Sequence, residues 1–191
     1  AQIDWTSQPM LAEASVTADA EWKAVRNPAD HQDIVGRCRS SADDEIEFAL
    51  KSATVFAPTW AATPPAERAE RLERAADLMQ ARMPSLLGLL AREAGKTYSN
   101  GISEVREAID FLRFYAAQAR SDFDNSTHQA LGPVVCISPW NSPLAIFIGQ
   151  ISAALAAGNT VLAKPAEQTS LIAAAGMALL REGGVPSAAV Q

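Results

Sequence analysis

From residue 41 to residue 120, apolar positions recur every three or four residues and predict a run of helices. Ser41 and Asp44 have the form of a capping box, and Ile46, Ala49, Leu50, Ala53 and Phe56 then share one helical face, giving a helix to about residue 57. Thr63-Pro64 opens a second helix, because a hydroxyl cap followed by proline at the first helical position leaves fewer orphaned donors. Its inner stripe is Leu72, Ala76, Met79 and Met83. Pro84 restarts the chain into a third helix over 85–94, and Gly95 suits the left-handed residue that closes it. A fourth helix over about 102–120 buries Val105, Ile109, Leu112 and Ala116.

The pattern differs on either side of these helices. Residues 1–20 alternate weakly and have no periodic apolar face, so they read as a linker or boundary segment without assigned function. Two short runs, 22–26 and 34–39, flank Asn27-Pro28-Ala29-Asp30-His31, whose proline and Asx residues favour a turn, so this stretch predicts a hairpin. After Leu131-Gly132-Pro133 the chain becomes short and apolar. Val134-Val135-Cys136-Ile137 predicts a fully buried strand, 144–157 a helix covered on most sides, 160–163 a second strand, 170–182 a helix, and Ala189-Val190 the opening of a third strand. Helical connections between buried strands imply parallel pairing with right-handed crossovers. The expected fold is therefore α/β, the start of a doubly wound (Rossmann-like) parallel sheet preceded by a hairpin and four helices. Gln191 is expected to be a truncation point rather than the natural end of such a sheet.

Composition narrows the class. The 191 residues are 48% hydrophobic, 20% charged and 6% aromatic, the balance of a globular chain with a real core. Sixteen Lys and Arg against 22 Asp and Glu give a net charge of −6 without long single-sign runs, which disfavours nucleic-acid binding. Cys38 and Cys136 form no CxxC pair and have no histidine cluster nearby, so neither a metal site nor a disulfide framework is expected, and a reducing, cytoplasmic setting fits. No apolar stretch reaches the ~18 residues of a membrane helix, and no basic segment precedes an apolar core as in a secretory signal.

Candidate chemistry follows from the sheet. Ligands of open parallel sheets bind beyond the carboxyl ends of the strands. There lie Ser138-Pro139-Trp140-Asn141-Ser142-Pro143 and Lys164-Pro165-Ala166-Glu167-Gln168-Thr169. Asn141 sits between prolines that stiffen its loop, and it reads either as a fixed amide donor or as an Asx turn or helix cap. Lys164 and Glu167 offer a donor and an acceptor able to hold the two hydroxyls of a ribose; the alternative is an exposed ion pair of ~0 to 1 kcal/mol. Neither GxGxxG nor GxxxxGK[ST] occurs, so a nucleotide would be held without those glycine cradles.

These two loops, together with Gly132-Pro133-Val134-Val135-Cys136-Ile137 and Ala154-Leu155-Ala156-Ala157-Gly158-Asn159-Thr160-Val161, resemble the cofactor-domain signature of the aldehyde dehydrogenase superfamily. More narrowly, Asn27-Pro28-Ala29-Asp30-His31, Arg92-Glu93-Ala94-Gly95-Lys96-Thr97 and Ala108-Ile109-Asp110-Phe111-Leu112-Arg113 resemble the L-glutamate-γ-semialdehyde (Δ1-pyrroline-5-carboxylate) dehydrogenase domain of the proline utilization A family. The match starts at about residue 21.

The resemblance implies an NAD-dependent oxidation of the semialdehyde to glutamate. It places Asn141 as the amide donor of the oxyanion hole, worth about 3 kcal/mol of barrier in other acyl-transfer enzymes. It puts Lys164 and Glu167 on the adenine ribose of NAD, and Ser138 and Trp140 along the same cleft. The charge of Glu167 opposes a 2′-phosphate whereas that of Lys164 welcomes one, a balance that favours NAD and leaves NADP as the alternative. Glu107 becomes a substrate-side candidate; otherwise it is a surface charge. The family's nucleophilic Cys and water-activating Glu come later in its chain, beyond position 191. Cys136, in an apolar strand, is expected to be a core residue, and Cys38 has no base nearby. Ser142 stands where the family more often has Phe, a departure expected to loosen packing beside Asn141. The implied parent is a homo-oligomer acting on a small molecule, in some members fused to proline dehydrogenase. The alternatives are an aldehyde dehydrogenase of another substrate class, or a binding or assembly module without turnover.

Overall fold

The four apolar stripes emerge as four helices in the computed structural model, which describes residues 5–13 and 21–191: α1 (Asp43–Ala62), α2 (Pro65–Ala81), α3 (Met83–Ala94) and α4 (Tyr98–Asp122). Their starts depart from expectation in instructive ways. The N-cap of α1 is Ala42, and the Glu45 carboxylate accepts the Ala42 N–H at 2.9 Å, so Glu45 rather than the Ser41–Asp44 pair closes this end. Arg39 grips the same carboxylate at 2.8 and 2.9 Å. Thr63 belongs to the end of α1, its N–H donating to the Trp60 carbonyl at 3.1 Å, while Pro64 and Pro65 open α2. The Thr97 hydroxyl accepts the Asn100 N–H at 3.2 Å, which starts α4 a turn earlier than expected. Gly95, at φ 64°, closes α3 in the left-handed region as its position suggests.

Helix α1 also runs through Pro58 to Ala62, beyond the expected end at 57. An interior proline costs about 3 kcal/mol. The offset is Trp60, which is 1% exposed and whose indole N–H donates to the Leu155 carbonyl at 3.1 Å. Continuing the helix carries that ring into the core, and burial of a large aromatic side chain is among the larger single gains in folding.

The hairpin is present, with β2 (Lys23–Asn27) antiparallel to β3 (Asp30–Cys38). Asn27 Oδ1 accepts the Ala29 N–H at 2.9 Å, forming the Asx turn at Pro28-Ala29, so β3 starts earlier than residue 34. The stretch expected as a linker contributes a strand, β1 (Trp5–Ser7), parallel to β3 with Trp5 opposite Gly36. A Cβ at Gly36 would lie 2.2 Å from the Trp5 carbonyl oxygen, so only glycine permits this approach. The rest of that expectation, over 1–4 and 14–20, falls outside the described residues.

The second half alternates as the sequence suggests: β4 (Pro133–Ile137), α5 (Ala145–Ala156), β5 (Thr160–Lys164), a 3-10 turn (Glu167–Thr169) and α6 (Ser170–Glu182), then a parallel bridge from Val161 to Val190. Strands β4 and β5 pair in parallel from Pro133 opposite Thr160 to Ile137 opposite Lys164. The chain is α/β. The expected full burial of β4 does not hold: Cys136 is 6% exposed, but Val135 is 60% and Ile137 64% exposed. Among the described residues β4 has a strand on one side only, whereas β5 lies between β4 and the segment at Val190, and Val161 is fully buried.

Arg68 joins the two halves. This buried guanidinium donates from Nε to the Ala156 carbonyl at 3.0 Å, and it also reaches the carbonyls of Ala61 and Thr63 and the Asn125 amide oxygen. Thus the ends of α1 and α5 and the loop after α4 are held by one side chain. Among the described residues no helix is long and apolar enough to cross a membrane.

Candidate functional site

The parallel register delivers both candidate loops to one rim. Ile137 and Lys164 are the last paired residues of β4 and β5, and the Ser138 N–H donates to the Lys164 carbonyl at 3.2 Å. Residues 138–143 and 164–169 therefore leave adjacent strands at the same end, where open parallel sheets bind their ligands. Ser138 is buried at the junction; Trp140 and Asn141 are exposed.

Lys164 and Glu167 line one cavity of about 570 Å³, enclosed by residues 7–11, Cys38 and Arg39 at the end of β3, the start of α1, and Ala173 and Met177 of α6. Lys164 Nζ donates to the Pro165 carbonyl at 3.2 Å. Ser138, Trp140 and Asn141 do not line this cavity, so the structure groups Lys164 with Glu167 and sets Asn141 on the neighbouring loop. Glu107 is exposed on α4, one turn beyond Glu104, and lies on neither loop. Cys136 is in the core, where burial pushes its thiol pKa up, and Cys38 is half-buried on the cavity wall. No group of three His, Cys, Asp or Glu able to hold a metal occurs among the described residues.

Two glutamates from the helical half brace the loops. Glu104 of α4 accepts the backbone N–H groups of Leu144 and Ala145 at 3.1 and 2.9 Å, and the Ser142 hydroxyl at 3.0 Å. Lys96 lies 3.4 Å from the same carboxylate and donates from Nζ to the Asn141 carbonyl at 2.6 Å. Glu93 of α3 accepts the N–H groups of Leu171 and Ile172 at 2.7 and 2.8 Å. Each carboxylate thus satisfies donors at the start of a sheet helix, α5 or α6, where negative charge is also favoured by the helix dipole. Burial nevertheless raises the Glu93 pKa to about 7, outweighing its two N–H bonds.

This arrangement bears on Asn141. Glu104 takes the amides of Leu144 and Ala145, no side chain caps α5 from its N-cap position, and the Asn141 carboxamide has no hydrogen-bond partner among the described residues. Ser142, expected to loosen the loop, instead ties it to Glu104. Neither glutamate is among the candidates read from the sequence. A signal exists for Glu104, which lies one helical turn before the buried Ala108 on the same stripe of α4. An acid on a buried stripe needs partners.

Comparison with known proteins agrees with the geometry. The family model described as "Aldehyde dehydrogenase family" matches residues 16–191. A bifunctional protein PutA from Klebsiella aerogenes is 63% identical over 187 residues, covering 98% of this chain and 14% of that protein. A crystal structure of proline utilization A from Bdellovibrio bacteriovorus superposes with a TM-score of 0.90 at 27% identity, over 99% of this chain and 21% of the other. A 1-pyrroline-5-carboxylate dehydrogenase from Thermus, with bound NAD, superposes with a TM-score of 0.88 at 32% identity, over 98% of this chain and 39% of the other. This chain therefore spans a minor part of the proteins it matches. With a family match over nearly all of its length, the chain belongs to the aldehyde dehydrogenase family.

Proposed function

We propose that this chain is the first part of the cofactor-binding unit of a longer dehydrogenase that oxidises L-glutamate-γ-semialdehyde to glutamate with NAD. The observation that carries this reading is the Ser138–Lys164 bond, which sets the Asn141 loop and the Lys164–Glu167 loop side by side at the carboxyl ends of parallel strands. The names of the PutA and 1-pyrroline-5-carboxylate dehydrogenase relatives support the substrate. The cavity beside Lys164 suits a nucleoside: a cation and a carboxylate on one wall, and the apolar side chains of Ala173 and Met177 on another. There the Lys164 ammonium donates to ribose hydroxyls, and the Glu167 carboxylate accepts from them. NAD, when bound, supplies the hydride acceptor.

Asn141 donates from its carboxamide to the aldehyde oxygen as that atom gains negative charge, an interaction stronger in the transition state than in the ground state and therefore expressed in turnover. Trp140, exposed on the Asn141 loop, and Ser138, buried at its root, would flank the bound cofactor, and Glu107 on α4 would act on the substrate side. The nucleophilic thiolate and the water-activating carboxylate are supplied by the remainder of the longer protein, which assembles as a homo-oligomer. The test is NADH formation by the full-length protein. Turnover of the semialdehyde well above that of simple aliphatic aldehydes is expected; turnover of the aliphatic aldehydes with none of the semialdehyde removes the substrate assignment.

A further inference from the structure

Four contacts converge behind Asn141, three from Glu104 of α4 and one from Lys96 in the turn between α3 and α4. Glu104 binds the chain just after Asn141 at the Ser142 hydroxyl and at the Leu144 and Ala145 amides. Its neighbour Lys96 binds the Asn141 carbonyl itself at 2.6 Å, while the Lys96 and Glu104 side chains meet at 3.4 Å. The Glu104 side chain is 5% exposed and that of Lys96 20% exposed, so water competes little for the Glu104 bonds, whereas the Lys96–Asn141 bond is open to solvent. Asn141, by contrast, is exposed and its carboxamide has no hydrogen-bond partner among the described residues, so its aim depends on its main chain. That main chain is held at the Asn141 carbonyl and over the four residues that follow by one acid and its ammonium partner.

We infer that Glu104 is a positioning residue, which through Lys96 and Ser142 holds the Asn141 carboxamide in the orientation needed to meet the developing oxyanion. The inference rests on the oxyanion role given to Asn141 above. A donor must be held within about 0.5 Å of its productive place to act in full, and small misplacements cost large factors in rate. Ser142 belongs to the device: a side chain without a hydroxyl at that position would leave one Glu104 contact unmade.

A helix cap and a positioning residue are told apart by a double-mutant cycle in the full-length enzyme, read as kcat and KM. Asn141→Ala is expected to lower kcat about 100-fold. Glu104→Gln, which keeps the shape but loses the charge and one acceptor, is expected to lower kcat about tenfold while both KM values stay within about twofold. In the Asn141→Ala background, Glu104→Gln is expected to cost less than about twofold, because the group it aims is gone. An equal loss in both backgrounds, or no loss in the first, overturns the inference and leaves Glu104 as a cap. If Asn141→Ala itself changes kcat less than about threefold, the oxyanion reading fails, a result distinct from either. Should Glu104→Gln not fold, Lys96→Met goes through the same cycle with the same deciding results, since it cuts the bond to the Asn141 carbonyl and leaves the α5 amides capped.

Discussion

The backbone N–H of Ser138 donates to the carbonyl oxygen of Lys164 at 3.2 Å, so the two candidate loops are joined through their main chains. Removing the Lys164 side chain leaves this bond intact. Lys164→Ala in the full-length enzyme should therefore raise the KM for NAD about tenfold, the loss expected for one charged hydrogen bond, with kcat changed less than about twofold. A large fall in kcat at an unchanged KM contradicts the ribose assignment.

Glu93 should make stability fall with rising pH. Its pKa is about 7 in the fold against 4.5 for an ordinary glutamate, so between these values the folded chain binds the extra proton and the unfolded chain does not. The stabilisation is fully present below about pH 4.5 and is lost as pH rises through about 7. Its size is of the order of 3 kcal/mol. Urea unfolding at about pH 5 and about pH 8 should show a smaller difference between the two pH values for Glu93→Gln than for the wild type. Identical pH dependence in the two proteins contradicts this assignment.

Arg68→Met should be strongly destabilising. The guanidinium satisfies the carbonyls of Ala61, Thr63 and Ala156, and the thioether cannot replace those donors. Leaving buried acceptors unmet costs ~1–3 kcal/mol each, so a loss of about 3 kcal/mol or more is expected in denaturant unfolding. A loss below about 1 kcal/mol would show that water replaces the side chain.

Two glycine-to-alanine changes should move stability in opposite directions. At Gly36 the new methyl would meet the Trp5 carbonyl at 2.2 Å and the Leu171 side chain at 2.9 Å, and a loss of ~1–3 kcal/mol is expected. Gly88, inside α3, has nothing within 4 Å of the same atom, so alanine there should gain ~0.5–1 kcal/mol from helix propensity. Thermal unfolding of the two variants checks both signs, and a destabilising Gly88→Ala together with a neutral Gly36→Ala contradicts both assignments.

Much of the fold is legible in the order of residues along the chain. The stripe Val105, Ile109, Leu112 and Ala116 is buried as its spacing requires, Gly95 takes the left-handed conformation, and the alternation of short apolar runs with helices after Gly132 places two loops at one rim. Other features are not legible there. Nothing local says that Trp60 will draw α1 through Pro58, that residues 5–7 will pair with β3, or that Val135 and Ile137 will stay exposed.

The sequence by itself determined the elements from the hairpin onward and their order, because helical period, prolines, glycines and turn residues act through the backbone of a few neighbouring positions. Only the tertiary structure decided which acids brace the candidate site. Glu93 meets Leu171 across 78 residues of chain, and Glu104 meets Ala145 across 41. Partners so distant leave no mark on local periodicity; they are selected when packing brings a buried carboxylate against the unsatisfied amides of a helix end, where leaving either unpaired would cost more than the bond returns in water.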